Sequence, residues 1–350
     1  MASLPTPSWP VPMKKTSLVS TQVLTLLSCM LLSACDKKTS EGAPIAQENY
    51  AINPQFDDAD QFSERLASVR IGDDTTGKWG YIDKQGKIVV NPQFASASQF
   101  SEGLARVHIG GIMTGKYGYI DKQGKMVINP QFEFTTQFSE GLASVLIGDF
   151  GTGKYGYIDK QGKMVINPQF LFTSGFSEDL ASVVIGDSKT GKDGYIDKQG
   201  KMVINPQFDF AGPFSEGLAQ VRIGDYKTGK SGYIDKQAKM VVNPQFDSAS
   251  RFSEALARVR IGDDMTGKWG YIDKQGKMVI NPQFDSAGDF SEGLAPVRIV
   301  DDKTGKWGYI DKQGKIAVNP QFDSAKNFSD GLAPVRIGDS KTGKWGYIHR

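Results

Sequence analysis

One feature constrains this chain more than any other: it repeats itself without slippage. Asn-Pro-Gln-Phe occurs eight times, with its asparagine at 53, 91, 129, 167, 205, 243, 281 and 319, a spacing of 38 residues each time. A second marker, running from Phe62 and Phe100 to Phe328, keeps the same step, as does the Gly-Tyr-Ile that begins at Gly80 and recurs to Gly346. Fixed periods of this size belong to solenoids, propellers and arrays, in which each unit buries its apolar side only against its neighbours.

Within a unit the pattern is that of strands and turns. Leu104 to Ile109 alternates, placing Ala105, Val107 and Ile109 on one side, while Tyr117 to Ile120 is aromatic and β-branched and Met126 to Ile128 is a short apolar run. Between the last two, Asp121-Lys122-Gln123-Gly124 sets a glycine where a hairpin needs positive φ. Pro130 is expected to end the ladder. Each unit therefore predicts a three-strand meander, with the connector Gln131 to Gly141 as candidate for a fourth strand. No window carries a sustained helical period, so the fold class is all-β.

The register at the two ends predicts how the units are arranged. Gln47 to Ile52 aligns with Gln85 to Val90, and Tyr347 to Arg350 aligns with Tyr81 to Lys84, so the two ends fall inside one hairpin. An open array would leave an unpaired strand at each end, a pairing liability, whereas a ring would join them. The strand order also resembles the blades of quinoprotein-type propellers, and GKWGYIDKQGK resembles the aromatic hairpins of cell-wall-binding solenoids. We expect residues 47–350 to form a closed eight-bladed β-propeller-like ring, in preference to an open β-solenoid.

The N-terminus reads as an address. Met13-Lys14-Lys15 followed by the mostly apolar Leu18 to Leu32, too short for a membrane span, has the form of a signal peptide over 13–34. Leu32-Ser33-Ala34-Cys35 resembles the lipobox of bacterial lipoproteins, which implies an acylated Cys35 in a lipid bilayer and a polar tether over 35–46. Residues 1–12 are expected to be a mis-assigned upstream extension. Cys29 would leave with the signal, so no disulfide or thiol pair remains. Of 41 basic side chains Lys14 and Lys15 would also leave, and the remainder matches the 39 acidic ones. A neutral chain without a basic block argues against nucleic acid as a partner. The expected location is the bacterial cell envelope, facing the periplasm or the cell surface, with Asp36 a hint of the inner membrane.

The phrase Lys-Trp-Gly-Tyr-Ile-Asp-Lys-Gln-Gly-Lys, with Pro-Gln-Phe and Phe-Ser-Glu-Gly-Leu-Ala, resembles the bacterial WG-repeat family over about Gln47 to Arg350. The Trp-Gly pair stands at Trp79, Trp269, Trp307 and Trp345; Tyr117 and Tyr155 replace the tryptophan conservatively, Asp193 and Ser231 do not. The resemblance implies no catalytic residues.

Chemistry is hard to find. His108 and His349 are the only histidines, and each fills a position held by other residue types in sister copies, which reads as surface variation. Asp73-Asp74, Asp263-Asp264 and Asp301-Asp302 lack the spacing of a calcium cage, and turn chemistry accounts for them. No catalytic set, cofactor or metal site is expected. Variation is instead concentrated in the loop after Ile-Gly-Asp, where Ile112, Met113, Phe150 and Tyr226 offer an apolar patch, and at Phe134, Phe172 and Phe210, where other copies carry serine. The last three could equally be core compensation. An arginine row, Arg70, Arg222, Arg260, Arg298 and Arg336, is interrupted by Leu146 and Val184 and reads as solvated inter-blade ion pairs. The expected role is binding or scaffolding by a monomer, toward an unknown envelope protein or glycan, peptidoglycan being the alternative ligand and a propeller-type enzyme the more remote one.

Overall fold

The structure, a computed structural model, describes residues 50–350 except 112–113, 188, 226 and 301–304. The segments assigned to the signal, Cys35 and the tether lie outside the described residues, as do Ile112, Met113 and Tyr226.

Eight antiparallel sheets follow one another along the chain. Blade 1 is typical: Asp58–Ala59, Ala67–Ile71, Lys78–Ile82 and Ile88–Phe94 lie in that order. The expected meander is therefore present, and the connector supplies a short strand at its first edge. Blades 2 to 7 occupy 96–132, 134–170, 172–208, 210–246, 248–284 and 286–322; in blade 3 the first strand is reduced to a single bridge, Thr135 to Val145. Equivalent side chains of neighbouring blades touch at these first strands, as Gln99 Nε2 donates to Gln61 Oε1 at 3.3 Å and Gln137 Nε2 donates to the Gln99 carbonyl at 2.9 Å. Copies related by rotation about an axis come this close only near the axis, so the first strand is innermost.

Blade 8 closes the ring. Ser324–Ala325, Leu332–Ile337 and Lys344–His349 are completed by Tyr50–Phe56 from the other end of the described chain, with Tyr50 opposite Ile348, Ile52 opposite Tyr347 and Phe56 opposite Trp345. The seam is held as the other interfaces are: Lys344 pairs with Asp57, and the Tyr347 hydroxyl donates to the Asp60 carbonyl at 2.7 Å.

One expectation fails. The proline does not end the outermost strand, which runs Met126–Phe132 through Pro130. Tyr119 faces Ile128 and Tyr117 faces Phe132, so two steps on one strand match four on the other, and the excess is a bulge around Asn129-Pro130-Gln131. A residue lacking an N–H costs nothing on a bulged outer edge, and it discourages pairing with another chain. The bulge folds over the glycine of the Trp-Gly pair: a Cβ on Gly80 would lie 2.4 Å from the Val90 carbonyl oxygen and 2.7 Å from Pro92 N. Trp-Gly and Asn-Pro are thus two halves of one device.

The core lies between blades. Tyr81, Val90 and Phe94 of blade 1 pack on Phe100, Ala105, Val107 and Ile120 of blade 2, and the other interfaces repeat the theme. At its centre a fully buried tyrosine meets the next blade's phenylalanine, in eight pairs from Tyr81–Phe100 to Tyr347–Phe62, with centroids 4.7 to 5.0 Å apart. Each hydroxyl donates to a carbonyl of the next blade, Tyr81 to Ser98 and Tyr233 to Ser250 at 2.7 Å, which satisfies the one polar atom that burial would otherwise strand.

Candidate functional site

The loops between second and third strands, such as 72–77, share one end of the ring with the starts of the innermost strands, because Asp58 pairs with Arg70 and the Gly72 amide donates to Asp57 at 2.8 Å. In each of several loops the aspartate organises the turn. Asp73 Oδ1 accepts from the Thr75 hydroxyl and amide and from the Thr76 amide at 2.7 to 2.8 Å, bonds that hold its carboxyl well below the usual range. Asp187, Asp225, Asp263 and Asp339 accept the two corresponding backbone amides. Turn chemistry accounts for these acids without a cation.

Of the apolar candidates, Phe150 on its loop is 66% exposed, and Phe172 and Phe210 at the starts of adjacent innermost strands are 55% and 46% exposed. Phe134 is different: it is partly buried between Tyr117 and Tyr155, at centroid distances of 6.1 and 6.2 Å, and Tyr155 continues to Phe172 at 5.4 Å. Phe134 compensates core where the tryptophan is missing; Phe172 and Phe210 leave rings in solvent. Met265, a variable loop tip not counted in the apolar patch, is 95% exposed.

Three further readings change. His108 is buried against Tyr117, with ring centroids 4.6 Å apart, and is no surface variant. Two members of the arginine row pair within their own blades and not between them: Arg70–Asp74, at 2.6 Å, and Arg260–Asp264 close within their own loops, while lysines and acids fasten neighbouring blades. The tryptophans are not free hairpin aromatics. Trp345 is buried and Trp79, Trp269 and Trp307 are half-buried at blade interfaces, with Arg260 and Arg336 each 5.7 Å from the Trp269 and Trp345 rings. The residue the architecture requires is the tyrosine two places on; its presence in all eight copies was the available signal.

The substitutions at the tryptophan position gather in blades 2 to 5. Asp193 of blade 4 is buried, its Oδ2 accepting the Ala211 amide at 2.5 Å, and burial pushes its pKa up to about 6. Ser231 of blade 5 is buried beside Gln220, whose Nε2 donates to its hydroxyl at 3.3 Å. Because the ring closes, the tryptophan-bearing blades 6, 7, 8 and 1 form one continuous half, and the altered blades form the other.

Fold and loop face together define a closed eight-bladed β-propeller whose variation is displayed on one end, the architecture of a binding or scaffolding repeat domain. A family profile described as WG containing repeat matches residues 46–73, 79–111, 117–149, 155–188, 194–226, 232–263, 269–303 and 307–345, and the chain belongs to the WG-repeat family. No match was found among curated proteins. Among solved structures the chain is similar to the Pyrococcus horikoshii acylaminoacyl peptidase (TM-score 0.50, 8% identity, covering 86% of this chain and 57% of that one). It is also similar to prolyl oligopeptidase B from Galerina marginata (0.54, 10%, 86% and 55%) and oligopeptidase B from Trypanosoma brucei (0.53, 11%, 83% and 52%). The chain spans just over half the length of these proteins, and at such identities the likeness shows the fold alone.

Proposed function

We propose that this protein is a lipid-anchored, extracytoplasmic binding or scaffolding protein that performs no catalysis. The observation that carries the reading is the contrast between an inter-blade core repeated eight times and a loop face that differs from blade to blade, with Phe150, Phe172 and Phe210 exposed in the altered half. An envelope protein is the partner this favours. A peptidoglycan or other envelope-glycan ligand is the alternative, and the half-burial of Trp79, Trp269 and Trp307 at blade interfaces gives it less support. The anchor rests on the lipobox-like Leu32 to Cys35. Metabolic labelling with an alkyne palmitate tests it: label on the wild type and none on Cys35→Ala is the expected result, and equal label on both would overturn it. For the binding face, photocrosslinking from position 172 or 210 in intact cells should give a discrete adduct that position 89, on the outer edge, does not.

A further inference from the structure

Comparison of the eight blade interfaces with one another exposes an anion position that the chain itself leaves unfilled. At six interfaces a carboxylate follows the outermost strand and meets the lysine that opens the preceding blade's third strand: Asp57 with Lys344, Glu133 with Lys116, Asp209 with Lys192, Asp247 with Lys230, Asp285 with Lys268 and Asp323 with Lys306. Among the described residues, at Asp57, Asp209, Asp247 and Asp323 the second carboxylate oxygen also accepts a backbone amide from the following loop. Asp247 is typical, 2.5 Å from Lys230 Nζ and 2.9 Å from Gly262 N. Asp57, Asp209 and Asp323 do the same with Gly72, Gly224 and Gly338.

Two interfaces lack the acid. Between blades 3 and 4 its sequence position is taken by Leu171, a larger apolar residue. Between blades 1 and 2 it is taken by Ala95, which fills almost nothing. There Lys78 is exposed and makes no ion pair among the described residues, and the Gly110 amide has no carboxylate to donate to. A cleft of about 570 Å³ opens at this point, lined by Lys78, Ala95 and Gly110, with Trp79 along one wall. Its other charges are matched: Arg70 is paired with Asp74 at 2.6 Å, and Asp58 lies 3.8 Å from Lys326 across the seam. The larger cleft between blades 5 and 6, about 730 Å³, keeps Asp247 in place between its two donors.

We infer that the cleft at Ala95 is a binding site for a carboxylate group, which takes the place of the missing aspartate between the Lys78 ammonium and the Gly110 N–H. The donor pair is one the fold builds repeatedly and satisfies with its own acid, so its geometry is suited to a carboxylate without rearrangement. Trp79 offers the body of the ligand an aromatic wall, which favours an organic acid with a hydrocarbon portion over a bare anion. The carboxylate can come from a free organic acid or from an acidic side chain of a partner protein. The site lies on the loop-bearing face and so extends the binding role, but it does not depend on the anchor or on the altered half.

Amide NMR on residues 36–350 tests this with three probes: phenylacetate for a free acid, N-acetyl-aspartate N-methylamide for an acidic side chain, and uncharged phenylacetamide as control. A saturable shift of the Gly110 and Lys78 amides, at millimolar affinity, is expected with at least one of the acids and not with phenylacetamide; whichever acid binds identifies the source. Ala95→Asp, which rebuilds the sister arrangement, should abolish the shift, and Lys78→Gln should weaken binding about tenfold. No saturation by either acid below about 50 mM, or equal binding by Lys78→Gln, would overturn the site. Photocrosslinking at 172 and labelling at Cys35 report on the other proposals separately, so a failure here is distinguishable from a failure there.

Discussion

Closing the ring makes Phe56 as much a core residue as any phenylalanine in the middle of the chain. Phe56 is 4% exposed, faces Trp345 across the seam and packs with Ile52, Phe62 and Tyr347; its counterpart Phe284 is 3% exposed and faces Trp269. Truncating either to alanine removes a buried ring that covers some 150 Å² or more of apolar surface, about 4 kcal/mol at 25 cal/mol per Å². With the cost of the residual cavity added, the expected destabilisation is about 4–5 kcal/mol for each. Urea denaturation followed in parallel by tryptophan fluorescence and far-UV circular dichroism measures both variants against the wild type. The closed ring predicts that Phe56→Ala and Phe284→Ala agree within about 1 kcal/mol. In an open array the strand 50–56 would have no partner, and Phe56→Ala would cost less than about 1 kcal/mol while Phe284→Ala kept its full effect. That outcome would refute the seam.

Two other perturbations probe the local devices. Gly270→Ala would place a Cβ 2.5 Å from the Ile280 carbonyl oxygen and 2.7 Å from Pro282 N. It should cost about 1–3 kcal/mol in the same assay, whereas Gly212→Ala, whose nearest neighbour is 3.7 Å away, should lie within about 1 kcal/mol of wild type. Asp193 titrates near 6 rather than at its ordinary 3.8 because burial disfavours the charged form. The folded state therefore binds this proton more tightly than the unfolded state, and stability falls as pH rises from about 4 through 6. With allowance for partial solvent screening, the penalty above pH 7 is about 1–2 kcal/mol. Asp193→Asn, which retains an acceptor for the Ala211 amide, should gain that much at pH 7.5 and nothing at pH 4; an equal gain at both would show that charge is not the cause.

How far the sequence spoke for the structure differed by element. The period, the hairpin at Gly124 with its φ of 80°, and the junction of the two ends could all be read because each depends on local chemistry or on register alone. Pro130 misled because proline was weighed as a missing donor, and a bulge on an outer edge has no use for that donor. The Lys–Asp bridges were invisible for another reason. Their partners stand 17 residues apart, as in Lys192 and Asp209, yet belong to different blades, so only the placement of one blade on the next brings them together. Among the site residues, Phe134 and Phe172 occupy equivalent sequence positions and differ by their neighbours: Tyr117 and Tyr155 enclose the first, while Asp193 in place of an aromatic leaves the second open.

Closure also changes what the order of the copies means. Along the chain the first copy stands apart from the last three, but in the ring blades 6, 7, 8 and 1 adjoin and share the tryptophan, leaving blades 2 to 5 as one opposed arc. The exposed rings of Phe150, Phe172 and Phe210 lie within that arc, while the unfilled carboxylate position at Ala95 stands at its boundary, with Lys78 and Trp79 contributed by blade 1 and Gly110 by blade 2. Departures confined to one half of a closed ring leave the eight tyrosine–phenylalanine contacts intact all the way round. The core can therefore stay uniform while one side of the loop face becomes chemically distinct. A ring of equivalent blades would present a ligand with eight equal orientations, and it is the asymmetry of this half that can select one.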